Sequence, residues 1–561
     1  MIQNRFNSWL KDAENFEDQW RKDNELNFDY YDGNQWTEEE EAIIKSRGQQ
    51  PTVMNMIRPT VDMCLSVEQE KRTDIQVVGR TPDSSEIGDS LTALIKQVRD
   101  VSVADYYESQ AFREGIIGGR GVLFVDIERE VDEEGVIVPG QIFERWIPWE
   151  EVYFDPHHRL PDATDARFII RKVWLDIDSA KKRYKDKAEE IQNNYNDSFH
   201  GIEEEAQMYA PNRGKDPEYY RPGRVCVCHC WYKDVDNRVR YVEFAGDVCL
   251  RGSFDNDSEN DTPNGVDVYP IVPFYAFRTR KGRPQGLVRL IRDYQDTINK
   301  VNSKYIWNLS CNRIQVETDA VDTARNSYDE LSDQWSRPDG IIFLNNGGLQ
   351  KIRTEENLRE LQYLSNHIQM LINLMQRTSG INDSMNGIGG QNERSAMQQQ
   401  NRILQGAAMQ TSILENLHFS KLQTTKVILK LLAKFYSDKP IYARILKPSG
   451  ETEFTALNQQ SYDEHGNLQG VFNQINDVLN YDVVLRRVAP FSTTRERMVN
   501  MCVELGKTGV LPPEFIGEMV LNFGDIPNAN ELRRLMSEIN ERNRGMQEAQ
   551  GVAGIAKTLQ G

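Results

Sequence analysis

No apolar run in the chain approaches the roughly 20 residues needed to cross a bilayer, so a helical membrane span is excluded. Met1–Lys11 is polar where a secretory signal would carry an apolar core, and the expectation is a protein that folds in a reducing cytoplasm. Cysteine is scarce: 7 in 561 residues do not make a disulfide framework for a chain of this size. Cys226, Cys228 and Cys230, with His229 among them, form one local cluster. Alternation along a strand puts the three thiols on one face and the imidazole on the other. A metal site needs four converging groups, so these read as strand residues. Positive charge is also short. The 67 Lys and Arg against 86 Asp and Glu leave a net charge of −19. Tight nucleic-acid binders hold phosphates with Lys and Arg, so that class is excluded. A wall past which a polyanion slides is not, because a basic wall would hold the polymer.

Enzyme signatures are missing as well. Gly506-Lys507-Thr508 has the tail of a nucleotide loop, but Met501 stands where a glycine is required. There is no His-Glu-x-x-His and no Gly-x-Ser-x-Gly. The glycines at 115, 118, 119 and 121 come in the order helix, glycines, strand, the reverse of a dinucleotide-binding unit. His157 and His158 have no acidic or His partner at a motif spacing and read as an exposed turn. The basic turn Arg278–Gln285 could touch phosphate, and a solvated turn is the alternative.

What is present is long helical periodicity. Gly286–Cys311 carries Leu287, Leu290, Ile291, Tyr294, Ile298, Val301, Tyr305 and Leu309. A helix over 354–381 carries Leu361, Leu364, Ile368, Leu371 and Met375, one apolar stripe. Each spans about 40 Å. Between them lies a module, 312–353, with strands expected at Arg313–Glu317 and Ile341–Leu344 and a helix over Thr318–Trp335. Equal helices around a small insert predict an antiparallel hairpin with a tip domain; two core helices of an ordinary α+β enzyme are the alternative. After the second helix comes a loop with three glycines, Asn382–Asn392. A helix expected from Glu393 to about Phe435 would then be roughly 60 Å long. The tip's two short strands cannot make a stable sheet alone, and pairing with neighbouring copies would close their edges.

The rest of the chain alternates helices and strands. Helices are expected over residues 1–50, with a turn at Asp32-Gly33-Asn34 and a capping box at Thr37 and Glu40. A helix from Asn55 gives way to a strand by Val77. Further expectations are helix over 86–117 and Ser179–Asn193, and strands at Val122–Ile127, Ile142–Asp155, Val225–Arg251, Ile271–Phe277, Ile441–Leu446 and Asp482–Arg487. Helices are expected at Thr493–Gly506, Pro513–Asn522 and Asn530–Asn543. The fold class is α+β, predominantly helical.

Together Tyr30–Trp36, Asn55–Asp62 with Glu68–Val77, Ile147–Pro156 with Leu160–Phe168, and Gly282–Ser303, the last containing Asp293-Tyr294-Gln295-Asp296-Thr297-Ile298-Asn299, resemble the portal proteins of short-tailed, double-stranded-DNA bacteriophages. The match runs in order across about 1–440 and is looser beyond. The resemblance implies a dodecameric ring at one capsid vertex, a channel for packaging and ejecting double-stranded DNA, with no catalysis and no cofactor. It implies an outward wing (1–284 and 437–490), two stem helices (285–311 and 354–381), a clip (312–353), a tunnel loop (382–392), a long helix (393–436) and a crown with the C-terminal tail (491–561).

Asn386, Gly387, Gly389, Gly390, Gln391, Asn392, Arg394 and Gln398 would then face DNA. The glycines supply flexibility, and the amides contact the polymer without trapping it. Arg313, Gln315, Glu317, Trp335, Ile341 and Phe343 would dock the terminase large subunit, whose ATP hydrolysis drives packaging, and later tail adaptors. Capsid and scaffolding proteins would be further partners, in the virion and, during assembly, in the host cytoplasm. The rival readings are another head–tail ring, such as an adaptor, and a DNA-processing enzyme subunit. Adaptor chains are much shorter, and the enzyme would need a phosphate loop or a carboxylate metal cluster.

Overall fold

The computed structural model describes residues 3–80, 82–131, 137–197, 224–252, 262–310, 313–322, 325, 328–336, 339–355, 358–381, 410–436, 441–446, 452–462, 468–472 and 481–487. The chain divides into two units: residues 1–21, 65–285 and 411–561, and residues 22–64 and 286–410. In chain order the elements begin with α1 (Gln3–Asp32), α2 (Glu38–Ser46), α3 (Ile57–Glu70), β1 (Thr73–Gly79), α4 (Pro82–Val101), α5 (Ala104–Gly118), β2 (Arg120–Val131) and β3 (Ile137–Ile147). Next come β4 (Val152–Phe154), β5 (Phe168–Asp176), α6 (Ile177–Arg183), α7 (Ala188–Asp197), β6 (Arg224–Lys233), β7 (Val239–Ala245), β8 (Val248–Arg251), β9 (Ile271–Tyr275), β10 (Phe277–Arg278) and β11 (Pro284–Gln285). Then follow α8 (Leu287–Ser310), β12 (Arg313–Val316), α9 (Tyr328–Ser336), β13 (Ile352–Glu355), α10 (Leu358–Ser379) and α11 (Thr411–Phe435). The last described elements are β14 (Ile441–Leu446), β15 (Thr452–Leu457), β16 (Gln459–Tyr462), β17 (Leu468–Phe472) and β18 (Tyr481–Arg487).

The first unit is layered. A five-stranded antiparallel sheet runs β4-β5-β6-β7-β8, and a three-stranded one runs β3-β2-β9. The period of two along a strand sorts the five-stranded sheet's side chains. Phe168, Ile170, Cys228, Cys230, Tyr232, Val242 and Phe244 face Phe6, Trp9 and Ala13 of α1. Ile169, Trp231, Val239 and Tyr241 take the opposite parity and pack on Val122, Ile147 and Ile271 of the three-stranded sheet. That sheet's far face, through Val125, Ile127, Ile142 and Val272, meets Leu91 and Ile95 of α4 and Val427, Ile428, Leu431 and Leu432 of α11. Each fully buried side chain of this kind is worth about 1.5–3 kcal/mol. The cysteine cluster follows the expected alternation: Cys228 and Cys230 are buried under α1, and His229 on the opposite face bonds the Tyr241 hydroxyl at 2.5 Å.

The glycine cluster is a packing device. A Cβ on Gly121 would lie 1.9 Å from the Ala111 carbonyl oxygen, so β2 can pass α5 this closely only without a side chain. Gly119 ends α5 at φ +101°, in the left-handed region, and its Cβ would meet the Gln285 backbone. Arg120, between them, is 1 % exposed. Its guanidinium lies against the rings of Trp20 and Phe154, donates to both Glu17 oxygens at 2.5 and 3.0 Å, and donates to Val152 O at 3.0 Å. Arg21 donates to Glu17, Glu150 O and Val152 O. Burial pushes the Glu17 carboxyl up, but Arg120 and Arg21 outweigh it and hold the group below the usual carboxylate range.

Several expectations are borne out. Thr37 and Glu40 form both arms of the capping box at α2, and the helix-to-strand change at 57–79 is α3 then β1. Others are corrected. His158 is buried: its Nδ1 lies 2.6 Å from Asp155 O, and its Nε2 lies 3.1 Å from the Tyr275 hydroxyl. Burial lowers its pKa. The basic turn is the tip of the β10–β11 ribbon: Thr279, Arg280 and Lys281 are exposed, as a solvated turn requires, while Arg278 donates to Arg159 O at 2.7 Å. The helix expected over 86–117 breaks at Ser102-Val103, where Val103 has φ +53°. Of the helix expected from Glu393 to about Phe435, the described part is helical over Thr411–Phe435 with a turn at Gln410, and residues 393–409 lie outside the described residues. Residues 382–409, 437–440 and 488–561, and with them the tunnel loop and crown, lie outside the described residues.

Replacing Glu17 with Ala strands Arg120 among aromatic rings. The expected cost is about 3–5 kcal/mol, read as a lower urea midpoint for the full chain. The double variant Glu17→Leu with Arg120→Met should recover most of it. A single variant with an unchanged midpoint would contradict this account.

Candidate functional site

The second unit is built on α8 and α10, which pack on one another. The strand leaving α8, β12, pairs antiparallel with β13, the strand entering α10. Lys304 near the end of α8 meets Glu360 near the start of α10 at 2.8 Å. The chain therefore makes the antiparallel hairpin its periodicity predicts. Leu364, Ile368, Leu371 and Met375 of α10 are buried, and so are Leu287, Val288, Ile291 and Ile298 of α8.

The buried side of α8 is only half apolar. Gln295, Asn299 and Ser303, each 2 % exposed or less, repeat at intervals of four and so share one face. Against them lies an extended segment, 51–56, which the secondary structure leaves without helix or strand. Gln295 accepts from Met56 N at 3.0 Å and donates to Met54 O at 2.8 Å. Asn299 accepts from Met54 N at 3.0 Å, and Ser303 accepts from Thr52 N at 3.1 Å. Residues 52, 54 and 56 point the same way, and each finds one rung of this side-chain ladder. Asn299 also donates to Gln35 at 2.6 Å, and Gln35 donates to Tyr30 O at 2.7 Å. The Tyr30 hydroxyl bonds Asp296; burial first and then that carboxylate push the phenol's pKa up. Asn55 donates to Tyr31 O at 3.0 Å and accepts from the first two amides of α3. Three of the motifs quoted above, Tyr30–Trp36, Asn55–Asp62 and Asp293–Asn299, thus converge on one polar seam.

The tip follows from a few turns. Val316 pairs with Ile352 and Gln315 with Arg353. Asn345 donates to the carbonyls of Asp319 at 2.9 Å and Val321 at 3.0 Å. Gly348 lies so close to Ala320 that a Cβ would sit 2.2 Å from its carbonyl oxygen. Two expectations are corrected here. Ile341–Leu344 is no strand but a segment with a single bridge, Leu344 to Val321; the second strand is β13. The helix expected over 318–335 spans only Tyr328–Ser336, because Thr318–Val321 turns back to meet Asn345. Of the proposed docking residues, Gln315 and Glu317 are exposed, Trp335 is half-buried, and Arg313 pairs in the ladder with Glu355. Ile341 and Phe343 are 69 % and 45 % exposed, and Leu349, which sequence reasoning missed, is 79 % exposed. Asn386, Gly387, Gly389, Gly390, Gln391, Asn392, Arg394 and Gln398 lie outside the described residues. Among the described residues no group of His, Cys, Asp or Glu could hold a metal ion, and no helix is long and apolar enough to cross a membrane.

Gln295→Leu keeps the shape of the side chain but leaves Met54 O and Met56 N without their partner. The expected cost is about 1–3 kcal/mol, with faster amide exchange across 52–58. Asp293→Asn, on the exposed side of the same helix, should stay within about 0.5 kcal/mol of the parent. Equal effects from both variants would remove the ladder's claimed role.

Two comparisons bear on this arrangement. A family model described as phage P22-like portal protein matches residues 7–264 and 257–560. The chain is also similar to the portal protein of Helicobacter pylori bacteriophage KHP30, at 21 % identity over 519 residues, covering 91 % of this chain and 78 % of that one. With almost all of its length inside that family model, the chain belongs to the phage P22-like portal protein family.

Proposed function

We propose that this chain is the subunit of a portal ring, dodecameric as in the family it resembles, set at one vertex of a phage capsid. Double-stranded DNA is packaged and ejected through its channel. The observation that carries the reading is the family match, which runs through both units. The hairpin of α8 and α10 supplies the stem, residues 312–353 the clip, and 382–392 the tunnel loop. Residues 1–284 and 437–490 form the wing, 393–436 the channel-side helical segment, and 491–561 the crown.

The chemistry of the proposed parts is consistent with their roles. The β12–β13 ribbon has two strands and therefore open edges, which neighbouring clips would cover. Ile341, Phe343 and Leu349 stand out from the tip as an apolar surface for the terminase large subunit and then the tail adaptors. ATP hydrolysis belongs to that motor and not to this chain. Capsid and scaffolding proteins contact the wing. The loop Asn386–Asn392 carries amides and glycines and no charge of its own, so it meets the duplex without a phosphate grip.

Purified protein imaged in negative stain should show rings with a central hole, and a monodisperse monomer at high concentration would sink the reading. Deleting Gly387–Gln391 should leave the rings intact while lowering DNA retention. Loss of ring assembly would make that loop a core element instead.

A further inference from the structure

In the first unit, the solvent side of α11 carries Lys426, Lys430 and Lys434. Intervals of four put all three on one helical face, where like charges oppose one another. Among the described residues none of the three ammonium groups makes an ion pair. Other lysines of the same unit are matched: Lys96 with Asp74, Lys172 with Glu14, Lys187 with Glu190 and Lys421 with Glu108. A run of lysines on a helix is most often a solvated face, so the run alone assigns nothing. What it borders does.

Lys426 and Lys430 stand on the wall of a cavity of about 340 Å³, and Lys233 at the end of β6 joins them there. Lys233 donates to Thr164 O at 2.6 Å, so its partner is a carbonyl and not a carboxylate. The floor is apolar, through Val239, Ile271, Val272 and Val427. Two carboxylates also line the cavity, and both are already used. Asp162 accepts from Thr164 N at 3.1 Å and from its hydroxyl at 2.8 Å, and Asp267 accepts from Val239 N at 2.6 Å. Asp482 of β18, the other carboxylate that acts on Lys426, is held by Arg80 at 2.6 Å. Burial lowers the pKa of Lys430, and the pull of Asp267 does not outweigh burial and the like charge of Lys426. The cavity thus sets lysines without counter-charges beside an apolar floor.

We propose that this cavity docks an acidic protein segment, whose carboxylates meet Lys426 and Lys430 while an apolar side chain beside them covers the floor. The spacing suits a peptide. One turn of α11 separates the two lysines by about 6 Å along its axis. Acids four apart on a helix, or two apart on an extended chain, repeat at about the same distance. Duplex DNA fits less well. Its closely spaced phosphates would also meet Asp162 and Asp267, and it brings nothing apolar to Val239 and Ile271. The site is complete within the first unit of one chain, so it does not rest on the ring reading.

The test is fluorescence anisotropy of a fluorescein-labelled peptide of Glu-Leu-Asp-Glu repeats, titrated with the full chain. Binding should saturate and should weaken as salt is added. Lys426→Glu with Lys430→Glu should raise the Kd by about tenfold or more, because two attractive pairs become repulsive. If that variant does not fold, Lys426→Gln with Lys430→Gln serves and should give a smaller rise. Lys182→Glu with Lys185→Glu makes the same charge change at exposed positions elsewhere on this unit and should bind as the parent does. A peptide with Ser in place of Leu should bind more weakly than the Leu peptide. No saturable binding, undiminished binding in the Lys426 and Lys430 variants, or an equal loss in the Lys182 and Lys185 variant would each overturn the proposal. So would a duplex of equal charge that displaces the peptide as well as unlabelled peptide does. Loss of self-association in the Lys426 and Lys430 variants without loss of peptide binding would put a second copy in the cavity and overturn it too.

Discussion

The second unit depends on a helix that behaves like the edge of a sheet. Segment 51–56 is extended, partly buried and has no strand beside it, so its backbone groups need partners from elsewhere. Gln295, Asn299 and Ser303 provide them, at the spacing of one helical face. An apolar stripe there would have left the amides of Met54 and Met56 buried without partners, at a cost of about 1–3 kcal/mol each. Because Asn299 also reaches Gln35, and Gln35 reaches Tyr30, the same seam ties the end of α1 and the start of α3 to the middle of α8. Positions that look like scattered motif letters in the sequence are one hydrogen-bonded object.

Buried charge is handled in two ways in the first unit. Around Arg120 two buried guanidiniums, Arg120 and Arg21, share the one carboxylate of Glu17, and the carbonyls of Glu150 and Val152 take further donors. Arg120 and Arg21 hold the Glu17 carboxyl below the usual range, so it stays ionised near neutrality. Around Arg99 the buried partners are Glu108 and Glu144, Lys421 also bonds Glu108, and the Asp105 carboxylate reaches Arg99 from the solvent side. The two clusters use similar residues, and they differ in that the second reaches solvent through Asp105.

Much of this was legible in the sequence, and the failures have physical causes. Hairpin helices α8 and α10 were visible because apolar residues recur at helical spacing over many turns, and Thr37 with Glu40 announced α2 because capping is local chemistry. The cysteine strand was readable because period two sorts side chains to faces. His158 was misread because its burial depends on Tyr275 and Arg278, more than a hundred residues away. The ladder residues were quoted as part of a motif but not explained, although polar amides at intervals of four beside Ile291 and Ile298 were a usable signal. The tip was mis-segmented because Gly348 and Asn345 fold 318–321 back by contacts that no periodicity reports.

The tip also shows why short elements at such a site need one another. A two-stranded ribbon of four residues a side is marginal by itself, and here Asn345 holds the chain just beyond it, at Asp319 and Val321. The same turn that fixes the ribbon fixes the chain just before and after it, which leaves Ile341, Phe343 and Leu349 pointing outward. The tip thus keeps three large apolar side chains exposed while its turns are held by Asn345 and the close approach of Gly348 to Ala320.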